Sequence, residues 1–253
     1  GTCLLLVPWH SVLSKDIAEK DVEVQKYLCL SKVISTSSAI RLWLALHVDN
    51  DMSSWKTWLM ALPSDVSAGA PSLPTALPEE TLASLQGTAL FWDARRVRKQ
   101  LLDEWRMLEC EVDWSRWLWA HSIVSTRSST LETDDVGQDN LQCIIPIVDF
   151  ANHSSNPNTH VVASELGAKL VCVQEIGAGR EVQISYGMHT AEQFLFAFGF
   201  VPSCAPTNSI VAPLQPAKTE ETENIRRELF QSGPASLSAQ PGGFKTLLLA
   251  FEA

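Results

Sequence analysis

Residues Asp149 to Asn158 read DFANHSSNPN, and they gather Asp149, Asn152, His153, Ser154, Asn156 and Asn158 directly behind the apolar run IIPIV. Polar groups crowded at the end of a buried segment must find partners or bind something. A metal site drawn from Asp149, His153 and His160 lacks both an i, i+4 histidine pair and any familiar zinc framework. A nucleophilic serine would sit on a sharp strand-to-helix elbow, and no G-x-S-x-G occurs in the chain. The bland alternative is an Asx-rich turn whose side chains satisfy only their own backbone ahead of Pro157. Taken alone, the run fits that alternative too.

About 30 residues further on, a β-like segment ends in Ile184, Ser185, Tyr186 and Gly187, before a helical pattern closing on Gly199. The elements that must position these residues differ along the chain. Cys3 to Val7 reads as a short buried strand stopped by Pro8, and Ser14 as the N-cap of a helix that includes Ile17, Val22 and Tyr27. Ser38 to Val48 suits a largely buried helix, followed by a tryptophan-bearing segment from Ser53 to Leu62. The stretch from Pro63 to Pro78 holds four prolines and reads as a surface connection. Further helices are expected behind Pro78, from about Thr88 to Glu109, and behind Asp113 through Trp114, Trp117, Trp119 and Ile123.

After the acidic loop Glu132 to Asn140 the texture turns to β. Short segments rich in Val and Ile are read at Cys143 to Phe150, His160 to Ser164, Lys169 to Gln174 and Glu181 to Tyr186. Glu165, Leu166 and Gly167 join two of them as a hairpin. Beyond Pro216 the expectation is helical again at Thr222 to Gln231, then the linker SGPASLSAQPGG and an apolar segment from Phe244 to Phe251, together the start of another domain.

The run D-x-x-N-H-S, followed by a strand ending I-x-Y-G, resembles the SET domain family of protein methyltransferases. The wider frame of WAHSIVSTR, IIPIVDFANHS, EVQISYG and FGF is similar to the Rubisco large-subunit methyltransferase-like branch, from Leu4 to about Pro213 and including LLLVPWHSVLS. The resemblance implies an α+β fold: a β-rich SET core with a pseudoknot, a helical insert over about residues 14–126, and the start of a helical substrate-binding domain over 214–253. It implies S-adenosyl-L-methionine as methyl donor and a protein lysine as acceptor. Protein histidine methylation, or a degenerate module that binds a protein without turnover, stand as alternatives.

Residue by residue, the resemblance assigns Tyr186 to catalysis, where its hydroxyl would orient the attacking amine. Asn152 and His153 would contact the methyl donor, Asn152 at its amino group and the backbone around His153 at its adenine edge, and Asp149 would accept hydrogen bonds from the knot or the donor. Arg127 would face the donor's carboxylate and the substrate entrance, since a guanidinium suits a carboxylate. Phe198 would line the substrate channel, and Leu4 would lie against the donor through its backbone. The sequence departs from the family pattern at Thr2, where a glutamate is common, and in the absence of a glycine-rich segment ahead of it. The C-x-C zinc tail of many histone-modifying relatives is also absent, so no metal is expected.

Composition agrees with that direction. An apolar fraction of 45% supports a sizeable core, and a formal charge of −10 opposes a broad phosphate-binding surface. A protein substrate is therefore expected rather than nucleic acid. The six cysteines are dispersed and read as reduced thiols, and no apolar run reaches the roughly 20 residues of a membrane helix. Eight of the nine tryptophans lie between Trp43 and Trp119, which scaffold packing explains. An intracellular protein is expected, and its opening GTCLLLVP reads as a strand already under way in a longer sequence.

Overall fold

The computed structural model describes residues 1–28, 35–50, 53–63, 73–132 and 140–203, together with backbone strands at 209–213, 236–239 and 245–250. The chain divides into two compact units. One comprises residues 1–187 and 195–200, and the other 188–194 and 201–253.

In the first unit β1 (Cys3–Pro8) and β2 (Leu13–Ser14) precede a helical block of α1 (Lys15–Lys20), α2 (Val22–Leu28), α3 (Thr36–His47), α4 (Lys56–Ala61), α5 (Glu79–Ala83), α6 (Ala89–Leu108) and α7 (Trp114–Arg127). Ser14 caps α1 by accepting from the Ile17 N–H. The single helix expected through Ile17, Val22 and Tyr27 is two, because the Asp21 carboxylate accepts from the Glu23 and Val24 N–H groups at 2.9 and 3.2 Å. An aspartate that caps a new helix ends the old one. The expected break points elsewhere hold: Thr88 caps α6 through the Phe91 N–H, and Glu109 closes it in the left-handed region.

The helices bury a large apolar cluster. Leu42 and Leu44 of α3, Leu101 and Leu108 of α6, and Trp117 and Ile123 of α7 form its centre. Large apolar side chains removed from water at this density supply most of the block's stability, about 2 kcal/mol each. The indole N–H groups that come with the tryptophans find carbonyl partners: Trp117 donates to Leu101 O at 3.1 Å and Trp119 to Pro63 O at 2.6 Å.

A second apolar cluster belongs to the strands, with Val7, Val12, Cys143, Ile145, Val148, Leu170 and Ile184. β3 (Ser128–Leu131) and β4 (Leu141–Ile144) pair antiparallel, with β2 on the far side of β4. β6 (Thr159–Ser164) and β7 (Gly167–Cys172) form the expected hairpin, with Ser164 opposite Gly167, and β1 joins as the third strand, beside β7. Gly167 is required there, because a Cβ at that position would lie 2.1 Å from Val7 O. β5 (Asn152–His153) and β8 (Gln183–Ile184) pair in parallel. That pairing joins the two halves of the sequence signature.

Two β expectations need correction. The segment from Cys143 to Phe150 is not one strand: β4 stops at Ile144, and Val148–Phe150 form a single 3-10 turn. Pro146 cannot donate to a ladder, and Ile147 turns the chain at φ 75° and ψ −47°. The segment from Glu181 to Tyr186 is strand only at Gln183–Ile184.

In the second unit Thr190 and Gln193 cap each other reciprocally, at 2.8 and 3.2 Å, at the start of α8 (Ala191–Phe198). β9 (Ser209–Pro213), β10 (Ser236–Ala239) and β11 (Lys245–Ala250) form an antiparallel sheet in the order β10-β11-β9. The expectation of a helical tail with a linker at SGPASLSAQPGG needs correction here. β10 lies within that linker and β11 within the last apolar segment, whose Leu-rich run suits a paired strand. A boundary at residue 213 would part β9 from its partner β11. The helix expected at Thr222 to Gln231, the core of the loop Glu132 to Asn140, and Cys29 and Cys204 lie outside the described residues. The other four cysteines are free thiols. Among the described residues no helix is long and apolar enough to cross a membrane.

Candidate functional site

The last turn of α7, the 3-10 turn after β4, the start of β5 and the segment after β8 converge on one cavity of about 410 Å³. It is lined by Thr126, Arg127, Asp149, Phe150, Asn152, Tyr186, Phe198, Gly199 and Phe200. All of these belong to the first unit. A volume in this range suits a small organic ligand.

Asp149 anchors the polar wall. Its carboxylate has no exposed surface, and it accepts from Arg127 Nη1 at 3.2 Å and from the Trp58 indole N–H at 3.2 and 3.3 Å. Arg127 Nη1 also donates to the Asp149 backbone carbonyl at 2.9 Å. Burial pushes the Asp149 carboxyl above its ordinary range, while Arg127 and Trp58 offset part of that. The Arg127 guanidinium lies 5.1 Å from the centre of the Phe150 ring, so an aromatic face and a carboxylate fix its plane together. The turn that presents Asp149 and Phe150 is strained at Ile147, a β-branched residue at positive φ that is 64% exposed.

Asn152 is oriented from below. Its Nδ2 donates to Glu181 Oε1 at 2.5 Å, so its Oδ1 is the atom it can turn toward a cationic group. Asn158 staples the same two segments, donating to Glu181 O and accepting from the Gln183 N–H, both at 2.8 Å. His153 is not among the lining side chains. Its Nδ1 accepts the Tyr186 backbone N–H at 3.1 Å, which joins DFANHS to ISYG and requires that Nδ1 carry no proton.

The Tyr186 hydroxyl donates to Ala151 O at 2.9 Å, and its ring stacks 4.9 Å from Phe198 and 6.4 Å from Phe200. Burial raises its pKa, with Asp149 and Glu181 adding to the rise, so the phenol stays protonated at neutral pH. The result is a cavity with a cationic and amide wall, an aromatic wall and the Tyr186 hydroxyl.

Of the residues singled out from sequence, the structure brings Arg127, Asp149, Asn152, Tyr186 and Phe198 to the cavity, and holds His153 one hydrogen bond behind it. Leu4, 45% exposed on β1, is not among the lining residues. Trp58, Phe150, Glu181 and Phe200 line the cavity or bond to its lining residues, and sequence reasoning missed them. Phe150 and Phe200 sit inside the quoted motifs and carry their own signal, whereas nothing in the short apolar α4 marks Trp58 as a partner for Asp149. Among the described residues no group of three or more His, Cys, Asp or Glu side chains could hold a metal ion.

No family model matches the chain. It superposes on the SET domain of LSMT, solved with lysine and AdoHcy, with a TM-score of 0.70 over 100% of this chain and 58% of that one, at 17% identity. The chain has the fold of a SET domain. Its sequence is 26% identical over 220 residues to SET domain-containing protein 8 of Schizosaccharomyces pombe, covering 80% of this chain and 49% of that protein. It is 25% identical over 243 residues to the chloroplastic [fructose-bisphosphate aldolase]-lysine N-methyltransferase of Arabidopsis thaliana, covering 81% and 48%. It is 23% identical over 177 residues to the actin-histidine N-methyltransferase of Mus musculus, covering 62% and 29%. The chain thus spans less than half the length of each of these relatives. In SET terms, the helical block is the insert that interrupts the β-rich core, and the α+β fold class read from the sequence holds.

Proposed function

We propose that this SET cavity binds S-adenosylmethionine and that the protein transfers its methyl group to a side-chain nitrogen of another protein, with lysine as the acceptor. The observation that carries this reading is the convergence of Arg127, Asn152 and Tyr186 on one cavity with aromatic walls. The donor set fits the ligand: a guanidinium for a carboxylate, an amide oxygen for an ammonium group, and aromatic faces for a ring and a cationic centre. Bound there, S-adenosylmethionine supplies a methyl group on a sulfonium, which an incoming neutral amine takes in line.

The protein's own part is placement and exclusion of water. Arg127, braced by Asp149, holds one end of the ligand, and Asn152 Oδ1 fixes the neighbouring ammonium. Tyr186 offers its hydroxyl oxygen to the attacking amine and stabilises the partial charge that develops. Phe198 and Phe200 line the approach and favour an uncharged amine over an ammonium, whose desolvation costs more. His153 holds Tyr186 in register and does not act as a base.

Histidine is the second acceptor to consider, since one relative carries that name. The proposal includes an intracellular protein whose region after the SET core recruits a folded protein substrate, without contacting nucleic acid or membrane. Isothermal titration with S-adenosylmethionine tests it: one site per chain is expected. No heat, together with no methyl transfer to a cell lysate, sinks the reading.

A further inference from the structure

Besides Thr126 and Arg127 at the end of α7, which line the cavity directly, the helical insert acts on the cavity wall through a side chain of α4. Trp58, on the short α4, is 8% exposed and sends its indole N–H to both carboxylate oxygens of Asp149, a residue 91 positions away. Its ring is held edge-on by Trp55 at 5.8 Å, and Trp55 by Trp43 of α3 at 5.3 Å. The end of α4 is tied to α7 through the Trp119 indole and Pro63 O. Since α7 also delivers Arg127, the two donors that meet on Asp149 come from helices fastened to each other.

A buried carboxylate with two donor groups is sensitive to losing either. Arg127 reaches it from α7 and Trp58 from α4, while on the strand side the Tyr186 hydroxyl feels the charges of Asp149 and Glu181. We propose that Trp58 is a positioning residue: by holding Asp149 as a carboxylate in one orientation, it fixes the Arg127 guanidinium at the cavity wall, so the insert sets the site's affinity for its ligand. This rests on the reading of the cavity as an S-adenosylmethionine site. Without the indole donor, Asp149 takes up a proton at higher pH, and Arg127 loses the charged partner that holds its plane.

The test compares the wild-type chain with Trp58→Phe, Asp149→Asn and Trp55→Phe. With isotope-labelled tryptophan, the Trp58 indole N–H resonance, identified by its loss in W58F, is followed with pH. It is expected to titrate in the wild type and not in D149N. Isothermal titration with S-adenosylmethionine over the same pH range should show W58F binding about tenfold more weakly at neutral pH. Its acid limb should lie at higher pH, whereas W55F, which disturbs only the stack, keeps the wild-type limb.

An indole resonance that ignores pH, or that titrates alike in D149N, overturns the proposal, as does a W58F acid limb that coincides with the wild type. A wild-type chain that gives no heat refutes the ligand reading, and the indole titration then decides the role of Trp58 by itself. If W58F does not fold, the wild-type and D149N resonances settle that role between them.

Discussion

A carboxyl group without exposed surface, such as that of Asp149, costs least when neutral, and its pKa is raised accordingly. Above the ordinary carboxylate pKa the unfolded chain has released this proton while the folded protein still holds it. Stability therefore falls as pH rises through the window from the ordinary value up to that of Asp149. D149N has no proton to exchange, so urea unfolding across a pH series should show that this fall disappears in the variant. An unchanged pH profile would mean that Arg127 and Trp58 neutralise the burial cost in full. The sequence discloses Asp149 and Arg127 through their motifs, but not that they pair, since the resemblance points Arg127 at the donor's carboxylate. It does not disclose Trp58, since an indole that packs and an indole that donates to a buried acid look the same on an apolar helix. Nor does it disclose the Ile147 turn, because a β-branched side chain is the last expected at positive φ.

Among the elements, α7 does two jobs: its buried face closes the helical cluster and its last turn delivers Arg127. His121, on the same helix, meets Thr75 Oγ1 at 3.2 Å. Burial, with Arg41 adding repulsion, pushes its pKa down to about 3. Between the ordinary histidine value of 6.5 and about 3 the unfolded chain takes up a proton that the folded one refuses, so the helical block loses stability as pH falls through that window. His121→Asn keeps a partner for Thr75 without the proton uptake. Urea midpoints at mildly acidic and neutral pH should lie closer together in the variant than in the wild type; equal separations would show that His121 does not set the acid sensitivity. The helices themselves are legible from caps and periodicity, as Ser14, Thr88 and Glu109 show. Of the short strands, β8 is legible in existence but not in extent, whereas β2, β3 and β5 escape the sequence reading. β5 and β8 are two residues each, and a pairing that brief is set by its partners rather than by composition. The strands β10 and β11 escape a sequence reading because Ser, Ala and Leu favour no one element until a neighbouring strand is present.

For the molecule as a whole, a SET core interrupted by a helical insert brings its two signature halves together through a parallel β5–β8 pair and the bond from the Tyr186 N–H to His153. The net charge of −10 disfavours a broad phosphate-binding surface. Transfer of a methyl group into protein is the central claim. It is tested most directly by incubating the chain with S-adenosylmethionine radiolabelled in the methyl group and a cell proteome, with Tyr186→Phe alongside. Label in protein, recovered on lysine, is the predicted result. In Y186F the labelling should fall about a hundredfold, because one positioned hydroxyl is gone while the cofactor contacts remain. Protein that stays unlabelled with the wild-type chain, or equal labelling by Y186F, would contradict the claim.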